Sequence, residues 1–208
     1  MAWADKRKYS LTRTVAPTGY PLSLADVRRH CSLLPDEQDW DELLLDLLKA
    51  AVDSVQRHCG VQLMQATYRL AIDDFPSSGR PLNLPMPPLV SVSSFTVDGV
   101  AYTAYSADAY STPGRLIQTD DSWPGVTATH NGVVITYVAG YSSAAAVPDV
   151  YKHAIRLFVA HWFANREAVV TGTIATELPL AAARLLDNAS IGDEFVEYSS
   201  HESGYFAD

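Results

Sequence analysis

Residues 133–162 read VVITYVAGYSSAAAVPDVYKHAIRLFVAHW, and two periodicities meet inside them. Val133 to Tyr137 is β-branched and aromatic, the composition of a strand. Ser142 to Ala146 is a hinge of small residues. Pro148 then opens a helical pattern, since its fixed φ and missing N–H suit a first turn. On that helix Val150, Ala154, Leu157, Phe158, His161 and Trp162 mark one face, while Ile155, Val159 and Phe163 mark another. A helix apolar on two faces is either central in its own bundle or shared with a neighbouring chain. The fold class follows: α+β, a small helical bundle of about four helices interrupted by an antiparallel β insert.

Upstream, Ser23-Leu24-Ala25-Asp26 has the form of a capping box with Asp in place of Glu, so a first helix starts there. It should run to about Leu33 and stop before Pro35. A second helix is expected from about Glu37. Trp40, Leu43, Leu44, Leu47, Ala51, Val55 and Cys59 fall at three- and four-residue steps along it. Acidic residues crowd its first turns, where the helix dipole favours them, and Gly60 suits the position just past its end. Downstream of the quoted stretch, Pro179 to Asn188 reads as a short fourth helix, with residues 168–177 as the loop before it.

Between the second and third helices the period shortens. Thr67 to Asp73 alternates in part, and Leu89 to Val97 is β-rich. Asp98-Gly99 is a two-residue hairpin signal leading into Val100 to Tyr105. Asn131-Gly132 is a second such signal, between Val126–His130 and Val133–Tyr137. Residues 66–140 therefore predict a sheet of four to six strands. The resulting organisation is a flexible arm (1–20), a helical core (21–64 with 147–188), an antiparallel β insert (65–146) and an acidic tail (189–208).

The 208-residue chain is 48% hydrophobic and 19% charged, which excludes a wholly disordered polypeptide. No apolar run approaches the roughly 20 residues of a membrane span, and no secretory signal opens the chain. Two cysteines, Cys31 and Cys59, exclude a disulfide framework and suit a reducing compartment. The net charge is −9, unevenly spread. Residues 1–30 carry six basic side chains against two acidic ones, residues 31–166 eight against fourteen, and residues 167–208 one against eight. An acidic body argues against gripping nucleic acid, which needs clustered Lys and Arg. Opposite charge at the two ends favours head-to-tail contact between copies, or leaves two solvated tails.

Chemistry-bearing patterns are weak. His30-Cys31 and His58-Cys59 pair imidazole with thiol, but neighbours on a helix point about 100° apart and cannot readily share one ion. There is no nucleophile elbow, phosphate loop, zinc-protease helix or dinucleotide glycine set. Asp73-Asp74 and Asp120-Asp121 are paired carboxylates of the kind glycosidases use, yet they sit where turns are expected. Tyr102, Tyr105, Tyr110 and Trp123 form either a stacking platform for sugars or bases, or ordinary cross-strand packing. A glycan-binding module or hydrolase using Trp123 and Asp121 thus stands as a rival reading. No catalytic, cofactor-binding or metal-ligating residue is assigned.

The order of these segments resembles the head–tail connector proteins (adaptor or head-completion proteins) of tailed bacteriophages, in their longer form with a β insert. The residues that carry the resemblance are Leu22-Ser23-Leu24-Ala25-Asp26-Val27, the long helix ending in Gly60, and Leu82-Asn83-Leu84-Pro85 with Pro88-Leu89-Val90-Ser91-Val92. Trp123-Pro124, Val134 to Tyr141 leading into Val147-Pro148, Asn165-Arg166-Glu167, and Leu178-Pro179 before Ala183-Arg184-Leu185-Leu186 complete it. Shorter members often carry an Arg-rich end where this chain has Asp187-Asn188 and an acidic tail.

The resemblance implies a non-enzymatic virion protein without cofactors. It would form a ring, commonly of twelve copies, under the portal protein, extend the DNA channel and dock a tail or neck component. DNA would pass without specific binding and no membrane would be involved. The protein would be made in the host cytoplasm and reside in the neck. A tail-completion ring one layer further down is the nearest alternative. Candidate subunit or partner contacts are Ile155, Val159, Trp162 and Phe163 on the two-faced helix, and Arg166 and Glu167 at its end. Arg184 and Leu185 on the fourth helix join them, with Phe195, Tyr198 and Tyr205 as aromatic anchors in the tail.

Overall fold

A computed structural model of the chain describes residues 9–76, 79–165 and 180–190. The chain divides into two units, a β unit holding the described residues of 9–17 and 65–140, and a helical unit holding those of 18–64 and 141–190.

The helical unit begins with α1 (Leu24–His30), whose start follows the capping logic. The Asp26 N–H donates to Ser23 Oγ at 3.1 Å, and the Ser23 N–H donates back to the Asp26 carboxylate at 3.3 Å. The helix ends sooner than expected, at His30, because Ser32 turns into the left-handed region with φ 60°. The connection to α2 (Asp41–Cys59) is then fixed by side chains. Arg28 grips the Asp41 carboxylate with two bonds, 2.7 and 3.1 Å, and Glu37 accepts from the Leu34 N–H at 2.7 Å. These bonds hold residues 37–40 outside the helix, so α2 starts four residues later than the acidic run suggested.

On α2 the buried positions are Leu44, Leu48, Ala51, Val55, Gln56 and Cys59. The expected stripe is therefore right at Leu44, Ala51, Val55 and Cys59, while Trp40, Leu43 and Leu47 are only half-buried and Leu48 takes the buried place between Leu44 and Ala51. Gly60 caps the helix in the left-handed region at φ 66°, as its position predicted. A 3-10 turn (Ala144–Ala146) precedes α3 (Asp149–Ala164), and α4 (Leu180–Asp187) follows. Helix α3 packs against α1, α2 and α4, and Tyr151, Ala154, Ile155, Phe158 and Val159 are buried there. Full burial of such a side chain contributes about 1.5–3 kcal/mol, which makes α3 the organising helix of the unit.

The β unit contains two antiparallel sheets. The first has order β1 (Tyr9–Val15), β2 (Ala66–Ile72), β8 (Val133–Ala139), β4 (Leu89–Val97), β5 (Val100–Ala101). The second has order β3 (Leu82–Asn83), β7 (Arg115–Gln118), β6 (Tyr105–Asp108). Strand β8 is central and alternates strictly, burying Val133, Ile135, Tyr137 and Ala139. Strand β4 cannot alternate over its whole length, because irregularities between Leu89 and Ser91 and between Val92 and Ser94 reset its register against β8. Leu89, Phe95 and Val97 point inward as a result, while Val90 is left exposed.

Three expectations need correction. Residues 9–15 are not part of a flexible arm but the edge strand β1, paired to β2 from Tyr9↔Ile72 to Val15↔Thr67. Residues 141–146 group with the helical unit, where a bridge joins Met64 to Tyr141, and not with the β insert. Val126–His130 is not a strand, so Asn131-Gly132 does not close a hairpin. The Asp98 carboxylate takes the Thr127 and Ala128 N–H groups instead, at 2.8 and 3.0 Å, and the Asn131 N–H donates to Asp73. Asp98-Gly99 itself is the predicted turn, with φ of 50° and 79° suited to the tight β4–β5 connection.

Candidate functional site

The candidate contact residues fall into four groups. Ile155 and Val159 are fully buried inside their own helical unit, at 0% exposure, and so cannot meet a neighbour. This corrects the expectation of a face shared between copies: α3 is apolar on two sides because it sits at the centre of its bundle. Trp162 and Phe163, one turn further on, are half-buried. Trp162 stacks on Phe158 at 5.5 Å, and Phe163 meets the edge of Trp40 at 5.8 Å. Arg166, Glu167, Phe195, Tyr198 and Tyr205 lie outside the described residues. On α4 Arg184 is exposed and Leu185 half-buried, whereas Ala182 and Leu186 face inward at 0% exposure.

The metal-like pairs resolve into structural roles. Cys59 is buried with its thiol 3.8 Å from the Leu186 carbonyl, and burial pushes its pKa up to about 11. A thiol so disfavoured from ionising is a poor ligand. His58, beside it, pairs with Asp187 at 2.9 Å. Among the described residues no group of three or more His, Cys, Asp or Glu is placed to hold a metal ion. None of the described helices is long and apolar enough to cross a membrane.

The aromatic candidates separate as well. Trp123 stacks face to face on Phe75 at 4.7 Å and 3°, with Phe95, Tyr102 and Tyr105 around them. The Trp123 indole N–H donates to the Arg80 carbonyl at 2.9 Å. These rings extend the core between strands, so their faces are largely spent on one another. Tyr110 stands apart from this cluster and is fully exposed. It rides a turn tied by Asp108, whose two oxygens take the Tyr110 and Ser111 N–H groups, the Ser111 hydroxyl and the Arg115 guanidinium. The paired carboxylates are turn residues: Asp73 holds the Asn131 N–H and Asp74 the Phe75 N–H.

Among the described residues the exposed large apolar side chains are Tyr110, Val100 at the hairpin tip, Leu34 beyond α1, Val15 at the end of β1, Val90 on the irregular part of β4, and Tyr20, and they are candidates for contact. Sequence reasoning grouped Tyr110 with the core aromatics because spacing alone does not separate a ring that packs from one that a turn holds out.

No family model and no curated protein matches the sequence. Solved structures do. A chain in the neck of an empty GTA particle, computed with C6 symmetry, superposes with a TM-score of 0.72 at 22% identity. The match covers 87% of this chain and 95% of that one. The chain has the fold of a gene transfer agent neck component. A chain of the virion of a native gene transfer agent particle gives a TM-score of 0.70 at 21% identity, covering 86% and 94%. A chain in the neck of a native GTA particle, computed with C12 symmetry, gives 0.69 at 21%, covering 87% and 94%. The coverage includes both the helical and the β segments, so the α+β architecture is matched as a whole.

Proposed function

We propose that this chain is a structural head–tail connector, a copy of a ring at the neck of a phage-like particle. The observation that carries the reading is the fold shared with gene transfer agent neck chains over 87% of this chain and 95% of theirs. Two of those structures were computed with C6 and C12 symmetry, which supports a ring, with twelve copies the natural number. In this reading the ring lies under the portal, continues the DNA channel and offers its far side to a tail or neck component. The protein acts without a cofactor or catalytic residue, is made in the host cytoplasm and resides in the virion neck.

An acidic chain suits a channel wall, because DNA meets like charge and finds no low-energy resting place. A head-to-tail ring also needs two different surfaces on each copy. Exposed Tyr110 and Val100 on the β unit and the Trp162–Phe163 end of α3 are candidates for them. The glycan-binding alternative draws no support from Trp123, whose ring is stacked on Phe75.

Cryo-microscopy of the particle neck is the test. Density for this chain in a ring directly beneath the portal supports the reading. A place one layer down makes it a tail-completion ring instead, and its absence from the neck overturns both. Light scattering of purified protein mixed with portal gives an independent check, since the connector reading requires a complex.

A further inference from the structure

The first sheet of the β unit turns one face to its core and carries no carboxylate on the other. Strands β1, β2, β8 and β4 set Thr12, Arg69, Thr136 and Ser94 side by side in one row of that outer face. Leu11, Leu70, Ile135 and Phe95 point the other way, into or against the core cluster. The neighbouring rows run from Ser10 across to Thr96 and from Val15 across to Ser91, which makes twelve positions in all. Seven of them are Ser or Thr, four are Ala or Val, and Arg69 is the one charged residue. Thr12, Arg69 and Ser94 are exposed, and Thr136 is half-buried. Arg69 makes no ion pair among the described residues. A lone guanidinium among hydroxyls, in a chain of net charge −9, fits a single carboxylate-bearing protrusion. It does not fit a phosphate backbone, which needs clustered Lys and Arg.

Such a protrusion lies on the other layer of the same unit. Asp120 and Asp121 follow β7 of the second sheet, whose Leu82 and Leu116 share the core cluster with Ile135 and Phe95. The second sheet thus covers the inner face of the first, while Arg69 projects from the outer one. One chain therefore presents the turn and the arginine on opposite layers. The turn is held at both ends. The Thr119 N–H donates to the Ala104 carbonyl at 3.1 Å, and the Trp123 indole N–H donates to the Arg80 carbonyl at 2.9 Å. Both carboxylates are exposed, and neither makes an ion pair among the described residues. A turn already fixed in place loses little freedom when a partner takes it.

We propose that the outer sheet face around Arg69 of one copy receives the Asp120–Asp121 turn of the next copy. The Arg69 guanidinium takes one carboxylate through paired N–H bonds, and the Thr12 and Ser94 hydroxyls donate to the other. The two surfaces differ and lie on opposite layers of one unit, so the contact is heterologous and runs head to tail. Repeated around an axis, it closes a ring. The inference rests on the ring reading above and names the subunit contact within it.

The test measures ring formation on the portal for the full chain, for R69E, for D120K/D121K, for the two changes combined in one chain, and for an equal mixture of the first two variants. R69E alone and D120K/D121K alone bring like charges together and should weaken assembly by about tenfold or more. The combined variant restores opposite charges. So does the mixture, because in alternating order every face meets a turn of opposite sign. Recovery in the mixture shows that both variants fold and that the contact runs between copies. Single variants that assemble like wild type, or a mixture as weak as its components, overturn the proposal and leave the ring reading standing. Wild type that forms no ring with portal overturns both. A short DNA duplex that binds wild type but not R69E, with assembly unchanged, makes DNA the occupant of this face, and the proposal fails.

Discussion

His58 Nε2 lies 2.9 Å from Asp187 Oδ1, and this contact joins the last turn of α2 to the last turn of α4 across 129 residues of sequence. Around it the Cys59 thiol faces the Leu186 carbonyl, and the Tyr151 hydroxyl donates to Ala189. A helix of eight residues cannot hold itself in water, so α4 exists by docking. The buried apolar side chains should dominate that docking, because the His58–Asp187 contact is 31% and 65% exposed and is worth no more than about 1 kcal/mol. Leu186→Ala is expected to cost about 2–4 kcal/mol in urea unfolding, and Asp187→Asn less than about 1. Equal effects would show that the charge pair, not the packing, holds α4.

The two cysteines should differ in reactivity. Cys59 is buried, with its pKa pushed up to about 11, while Cys31 is half-buried and raised by burial alone. At pH 8 only about one Cys59 in a thousand would be thiolate even if reagent reached it. A disulfide reagent at that pH should label Cys31 first and Cys59 only as fast as the helical unit opens. The raised pKa also sets a pH dependence. A group that resists losing its proton when folded stabilises fully below its unfolded pKa and loses that contribution as pH rises through the folded one. Tyr151, pushed up to about 12 by burial, acts in the same direction. The helical unit is therefore expected to weaken between about pH 9 and 12, and Cys59→Ala should flatten the lower part of that decline.

The fold was legible wherever a local signal and the tertiary solution agreed. Ser23 with Asp26, Gly60 and Asp98-Gly99 each encode their conformation within four residues, and each was found in place. The β1 strand was not legible. Thr12-Arg13-Thr14 breaks the alternation, and an edge strand exposed on most of its length needs no apolar pattern. The α3 helix shows a different limit. Its two apolar faces were readable, but whether a face meets its own chain or another is a property of the bundle, and Ile155 and Val159 settle it only once α1, α2 and α4 are in position.

Gly114 supports a sharper prediction about the β unit. It is buried, and a Cβ added there would overlap the Cβ of Leu89, which is itself a core residue. Its carbonyl accepts from the Leu84 N–H at 2.8 Å, so the backbone cannot simply back away. Gly114→Ala is expected to destabilise by about 1–3 kcal/mol, the usual cost of overpacking. Gly125→Ala, where nothing lies within 4 Å of the added atom, should stay within about 0.5 kcal/mol. Thermal or urea unfolding of the two variants compares them directly, and a neutral Gly114→Ala would mean that Leu89 can move aside.

The Tyr110 turn should behave as a preformed display rather than a mobile loop. Asp108 holds it with four bonds of 2.6–3.2 Å, and the Ser111 hydroxyl, then the backbone and the Arg115 guanidinium, lower the Asp108 pKa to about 2. A carboxyl with a depressed folded pKa contributes its stabilisation in full above the unfolded value near 4. It loses that contribution as pH falls through about 2. Amide exchange at Tyr110 and Ser111 should therefore stay slow relative to free peptide down to about pH 4 and lose protection between there and pH 2. Asp108→Ala should speed exchange of both amides at neutral pH by about tenfold or more, because it removes both acceptors at once. Asp98→Ala, which unties the Thr127–Ala128 turn instead, should leave Tyr110 unchanged. If Tyr110 is a contact between copies or with a neighbouring neck component, Tyr110→Ala will leave the folded monomer intact and reduce assembly, whereas Asp108→Ala will reduce assembly by loosening the same ring. An assembly defect in Asp108→Ala without one in Tyr110→Ala would show that the turn's backbone, and not the exposed ring, makes the contact.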